Sequence, residues 1–193
     1  MEIIDRVKKV LFSPKTEWPT IEAENEPHAK VFTSYVVPLA LIPAVAAFIG
    51  YGPIGYSVLG VKITTMGWGI RQAIMQYILM CGGVYLTAFI IDALAANFGA
   101  RKDFNRAFSL VAYSYAPMFV AGVFYILPSL SWLASLAGLY GLYLLYIGLQ
   151  PMMKAPEEKQ TSYFVVSLIV TIVVSVVISA ILGAILLRGI YRF

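Results

Sequence analysis

Residues 90–117 read IIDALAANFGARKDFNRAFSLVAYSYAP. One acid, Asp92, interrupts an apolar run, and a short loop carrying Arg101, Lys102 and Arg106 turns the chain back. A second apolar run then carries Tyr113, Ser114, Tyr115 and Pro117. Two apolar runs joined by a charged turn describe two helices crossing a bilayer in opposite directions. A helix rises ~1.5 Å per residue, so about 20 apolar residues traverse the ~30 Å hydrocarbon core.

The rest of the chain has the same character. Of its 193 residues, 60% are hydrophobic and 12% charged, and mean hydropathy is +0.81. Soluble domains are about a quarter charged, so this chain requires lipid around it. The net charge of +4 is scattered over connecting segments, which argues against a nucleic-acid partner. Cys81 is the single cysteine, excluding an intramolecular disulfide and any CxxC motif. His28 is the single histidine, which removes His-rich zinc sites and most Ser-His or Cys-His nucleophilic machinery. HExxH, GxSxG and paired intramembrane aspartates are also absent. The expectation is a non-enzymatic protein without a cofactor. No cleavable signal peptide is expected, since charges recur throughout residues 1–30.

Residues 1–12, MEIIDRVKKVLF, are amphipathic, with Ile3, Val7, Val10 and Leu11 on one helical face and Asp5, Arg6, Lys8 and Lys9 on the other. Ser13-Pro14 ends this helix. Too short and charged to span, it suits the headgroup plane, either as a topogenic anchor or as a docking site for a partner protein. Residues 13–30 read as a polar, acidic linker. Within it Glu22, Glu24, Glu26 and His28 alternate, and on an extended segment they would align as weak cation ligands; a solvated linker needs no such geometry, and no metal is expected.

Five apolar runs follow, at 31–49, 73–98, 107–127, 130–149 and 163–187. The predicted fold class is an all-α membrane protein, with five transmembrane helices and an N-terminal amphipathic interfacial helix. It divides into a cytoplasmic segment, 1–30, and a transmembrane domain, 31–193. Pro38 and Pro43 kink the first span, and Pro128-Ser129 makes spans three and four an antiparallel hairpin. Ten of the fourteen Lys and Arg residues fall on the side of the N-terminus. The positive-inside rule then puts the N-terminus in the cytoplasm and the C-terminal RGIYRF outside, in an inner or plasma membrane. The external loop 50–72, opening GYGPIGY, has the glycines and aromatics of an interface segment.

Asp92 lies six residues before Phe98, about 9 Å from the cytoplasmic end of its span. An ionised carboxylate there costs a few kcal/mol, so it should face the bundle and find a partner. Arg101 and Arg106, reaching down from the loop, are candidates, as are Tyr113, Ser114 and Tyr115. The acid is either a clasp between helices or part of a proton, cation or headgroup site. Pro117 frees the carbonyl of Tyr113 and marks either a packing kink or a half-helix lining a polar pocket. In span four, Tyr140, Tyr143 and Tyr146 recur at helical spacing among small residues, and their hydroxyls could reach the Asp92 region. In span five, Ser167, Thr171, Ser175 and Ser179 form one weakly polar stripe suited to helix packing.

Several stretches together carry a resemblance: LFSPKTEWPTIEAE near the N-terminus, FIIDALAANFG with its charged loop, AYSYAP, and SLAGLYGLYLLYIGLQPMMKAPEEK before a last apolar span. The chain resembles the Yip family, the Ypt/Rab-GTPase-interacting polytopic membrane proteins, in its prokaryotic branch. The resemblance covers nearly the whole chain and implies five spans with a cytosolic N-terminus, with Asp92, Tyr113, Ser114 and Pro117 as family-like positions. Eukaryotic members act in vesicle traffic through Rab-type GTPases. The DLYGP stretch typical of them is missing here, so GTPase binding is not carried over. The functional expectation is a protein that organises membrane lipids, partner proteins or further copies of itself at the cytoplasmic face. The alternative is a transporter or lipid-translocating protein using Asp92.

Overall fold

The structure is a computed structural model that describes the backbone of residues 2–58 and 61–190, and the side chains of 2–55 and 64–178. Five helical segments are long and apolar enough to cross a membrane: His28–Ile54, Met66–Phe98, Phe104–Ile126, Pro128–Met153 and Glu157–Ile178. They correspond in order to the five predicted spans. The fifth helix continues to Ile190; the position of Ser179 and the last three residues of the tail lie outside the described side chains.

Span three is the core of the bundle. In its apolar window 67% of residues are buried, against 11% in span five, which is therefore peripheral. Ala107, Phe108, Leu110, Val111, Ala112 and Phe119 are all sealed from solvent. Span two meets this core with Val84, Ala88, Ile91 and Ala95, a run at helical spacing in which the small side chains allow close approach. Span three breaks where Pro117 predicts: one helix ends at Ser114, Tyr115 takes φ −79° and ψ −6°, and a second begins at Ala116. Span one carries wide π-helical turns at Phe32–Val36 and Gly50–Ile54, flanking its prolines. The segment between spans one and two is shorter than expected. It is a small antiparallel hairpin, Tyr56–Val58 against Val61–Ile63, and the next helix already starts at Met66.

Two corrections concern the N-terminal region. The first helix, α1 (Ile3–Phe12), forms as predicted, and Ser13 closes it by donating its N–H to the Lys9 carbonyl. Its faces differ from expectation, because Arg6 is buried beside Val7 and Val10. Residues 13–30 are also not a solvated linker. They contain a second helix, α2 (Pro14–Glu24), with Pro14 at the first position, where a missing N–H costs nothing, and Asn25 in the left-handed conformation (φ 42°) at its end. Trp18 and Ile21 are 2% and 3% exposed, so α2 docks its apolar face on the bundle. Its acidic content masked an i, i+4, i+7 pattern of Pro14, Trp18 and Ile21. Gly148 of span four receives the Trp18 ring: a Cβ there would lie 2.8 Å from it.

Candidate functional site

Among the described residues Asp92 has neither an arginine nor a tyrosine as hydrogen-bond partner; its Oδ1 is buried without one. The expected pairing with Arg101, Arg106, Tyr113, Ser114 or Tyr115 is thus corrected. On span two, Ile91 and Ala95 take the face toward span three, and Asp92, one residue further around the helix, turns toward its edge. There the phenol of Tyr163, on span five, lies within its electrostatic reach. Tyr163 itself donates to the Ile91 carbonyl at 2.6 Å and stacks on Phe98 with ring centroids 5.1 Å apart. The chain thus leaves a half-buried carboxyl beside a phenol that is already committed.

The YSY triplet diverges because successive residues on a helix point ~100° apart. Tyr113 packs edge-on against Tyr35 at 4.6 Å and lies under the Arg6 guanidinium, 5.5 Å from its ring centre. Ser114 is buried and its Oγ has no partner. The Tyr115 hydroxyl lies 3.4 Å from Thr87 Oγ1 on span two. The tyrosines of span four do not reach Asp92 either. Tyr140 donates to the Leu11 carbonyl of α1 at 2.6 Å, Tyr143 stacks on it facing outward, and Tyr146 meets Thr161 at 3.2 Å.

Ion pairs gather instead where α1, α2 and the two charged loops meet. Arg6 Nη1 is 2.5 Å from Glu17, and its Nη2 also pairs with Glu24. Arg106 pairs with Glu22 and, at 3.3 Å, with Asp103, which also caps span three by accepting from the Arg106 N–H. Lys154, in the loop before span five, lies 3.3 Å from the same Glu22 carboxylate. The Arg101 N–H donates to the Met153 carbonyl at 2.7 Å, so the two loops are tied through backbone as well. Arg101 is exposed, 3.8 Å from Asp103, and Lys102 is exposed beside it. Glu22 therefore closes a clasp across α2, span three and the span four–five loop. Its bonds to Arg106 and then Lys154 hold its carboxyl below the usual Glu range. Burial alone would pull the Arg6 guanidinium down; its bond to Glu24 and the charges around it leave it raised.

The four weak metal candidates do not gather: Glu22 and Glu24 lie in α2, Glu26 and His28 beyond its end. Glu22 and Glu24 take the partners just named, Glu26 pairs with Lys30 at 2.6 Å, and His28 binds Asn105 Oδ1 through its backbone N–H and its Nδ1. A helix separates residues that only an extended segment would align. Among the described residues no cluster of three such ligands forms.

Spans two, three, four and five border a cavity of about 330 Å³. Ser114, Tyr115 and Thr87 line one side, and Ser167 and Thr171 of span five the other. Ser167, predicted as packing glue, is buried with an unpartnered Oγ. Among the described residues no charged side chain lines the cavity.

Five packed apolar helices with a charged, self-paired end define a polytopic helical membrane protein. The chain belongs to the Yip1 family: the Yip1 domain matches residues 8–181. It is similar to Inner membrane protein YohC of Escherichia coli strain K12 and of Escherichia coli O6:H1 strain CFT073. Each is 31% identical over 128 residues, covering 65% of this chain and 65% of the relative. The chain thus matches just under two thirds of the length of these relatives. No solved structure matches it significantly.

Proposed function

We propose that this Yip1-family chain is a non-enzymatic inner-membrane protein that organises the membrane around it, with anionic lipid as its first partner at the charged end. On the charge count of its loops this end faces the cytoplasm. A single observation carries the reading: α1 is locked to the bundle by its Arg6 side, while its outer side presents Ile4 and Phe12, 64% and 82% exposed, next to Lys8. Lys15 and Lys102 are exposed at the same end. Exposed apolar anchors among cations suit insertion between anionic headgroups, each of which adds about 1 kcal/mol of attraction per Lys or Arg. A partner protein or a second copy of the chain could be gathered on the same surface.

The test is lipid selectivity in vesicles of mixed phosphatidylglycerol and phosphatidylcholine, read with spin-labelled lipids. Enrichment of phosphatidylglycerol that falls with salt, and in Lys8→Glu/Phe12→Ser, is expected. An unselective lipid shell would sink the proposal. Labelling of cysteines placed at either terminus of the intact cell protein checks the orientation.

The alternative, transport or lipid translocation through Asp92, is favoured by its buried, unpartnered oxygen in a lipid-embedded helix. It requires Asp92→Asn to abolish a flux measured in proteoliposomes while the protein folds normally. A folded variant with unchanged flux would dismiss it.

A further inference from the structure

We infer that the cavity between spans two, three, four and five is a binding site for an uncharged lipid that carries a neutral oxygen, a carbonyl or a hydroxyl. The inference goes beyond the charged-end reading and is independent of it.

Four features define the occupant. The cavity, about 330 Å³, falls within the size range of small-molecule sites, about 300–1,000 Å³. Its walls are largely aliphatic, with Ile91, Met118, Leu142 and Leu168 contributing from four different elements. A hydrocarbon chain fits such walls; an ion does not, since no charged group among the described residues lines them. Yet two hydroxyls, Ser114 Oγ and Ser167 Oγ, are 2% and 3% exposed as residues and have no hydrogen-bond partner among the described residues. A buried hydroxyl without a partner is destabilising, and a ligand oxygen that accepts from it removes that cost.

The walls narrow the class further. Among the described lining residues no side chain is charged, so nothing there pairs with a phosphate headgroup. Neutral isoprenoid lipids, whether quinones or long-chain prenols, join a hydrocarbon chain to an uncharged oxygen. Leu139, 64% exposed, forms part of the cavity wall, so the cavity reaches the lipid-facing surface between spans four and five. Gly138 lines it with room to spare: a Cβ there would meet only Met118 Sδ, at 3.7 Å.

The experiment uses the full chain in lipid nanodiscs and two photoreactive probes, a short-chain prenyl quinone and geranylgeraniol, with crosslinks mapped by mass spectrometry. Labelling is expected on spans four and five around Gly138 and Ser167, and the probe that labels more strongly identifies the carbonyl or the hydroxyl source. Gly138→Leu, which fills the cavity, should lower labelling at least about tenfold. Ser114→Ala/Ser167→Ala keeps the volume, removes both hydroxyls and should weaken half-saturation by about tenfold, the equivalent of two ordinary hydrogen bonds. Unlabelled probe should compete and hexadecane should not. Labelling unchanged by the serine pair, or displaced equally by hexadecane, would overturn the inference even where Gly138→Leu fails to fold.

Discussion

The two ends of the bundle are held by opposite means. At the charged end, α1, α2 and two loops are joined through Arg6, Glu22, Arg106 and their partners. At the other end, helices touch backbone to backbone. A Cβ on Gly50 would lie 2.0 Å from the Tyr125 carbonyl oxygen, and one on Gly122 would lie 2.5 Å from Pro43 Cβ. Ion pairs can be remade by small movements of long side chains, whereas a glycine contact tolerates none. The difference suggests a division of labour: a rigid end that fixes the spans and a charged end whose connections respond to salt, pH and partners.

The largest effect is expected from breaking the buried pair. Arg6→Met leaves Glu17, 5% exposed, with an uncompensated charge, a change that costs about 3–5 kcal/mol where a buried pair loses one member. Thermal unfolding in detergent should show the loss, with proteolysis starting in residues 1–24. Adding Glu17→Leu should recover much of it, because removing both partners avoids the stranded charge. Equal melting of Arg6→Met and the parent chain would mean that packing by Val10 and Trp18, not charge, holds the N-terminal helices.

How much of this was legible in the sequence follows from the range of each interaction. The spans were legible because lipid imposes a length and a composition on each helix separately. The break at Tyr115 was legible because Pro117 acts on its own helix. The charged end was not, since its partners come from residues far apart in the chain. Glu17, Ile21 and Glu24 share one face of α2, and Arg6 sits beside Val10 one turn on. That pattern hints at a charged seam, but only docking of α1 and α2 on the bundle makes it one. Asp92 stands out in the sequence as an acid in an apolar run, yet its surroundings depend on the placement of span five, which no local pattern encodes. Ser114 and Ser167 lie far apart in the chain; only the packing of spans three and five brings them to one cavity.

A smaller effect is expected at the rigid end. Gly50→Ala and Gly122→Ala keep helical backbone angles, so their cost comes from overpacking alone, about 1–3 kcal/mol each. Gly82→Ala is the control: nothing lies within 4 Å of its Cβ position, and alanine there should be neutral or stabilise by up to ~1 kcal/mol through helix propensity. If all three variants unfold together with the parent chain, the contrast between the two ends fails.

The smallest effect belongs to the outermost strand of the clasp. Lys154 is 54% exposed at its side chain, so its pair with Glu22 contributes about 0–1 kcal/mol. Lys154→Asn isolates that contribution, since asparagine also accepts the left-handed backbone found here, φ 52°. Glu22→Gln should cost more, because Arg106 is nearly buried and keeps only Asp103. The protection factor of the Arg101 amide, bonded to the Met153 carbonyl, reads both changes. Its pH dependence has a definite sign. The Glu22 carboxyl is held below its unfolded value, so its stabilisation is complete above the ordinary Glu pKa of about 4.3 and disappears as pH falls through the lower folded value. Protection should therefore stay level from neutral pH to about 5, decline below about 4.3, and lose that acid step in Glu22→Gln. A decline beginning near pH 6 would place the titrating group elsewhere and detach Glu22 from the loops it is held to join.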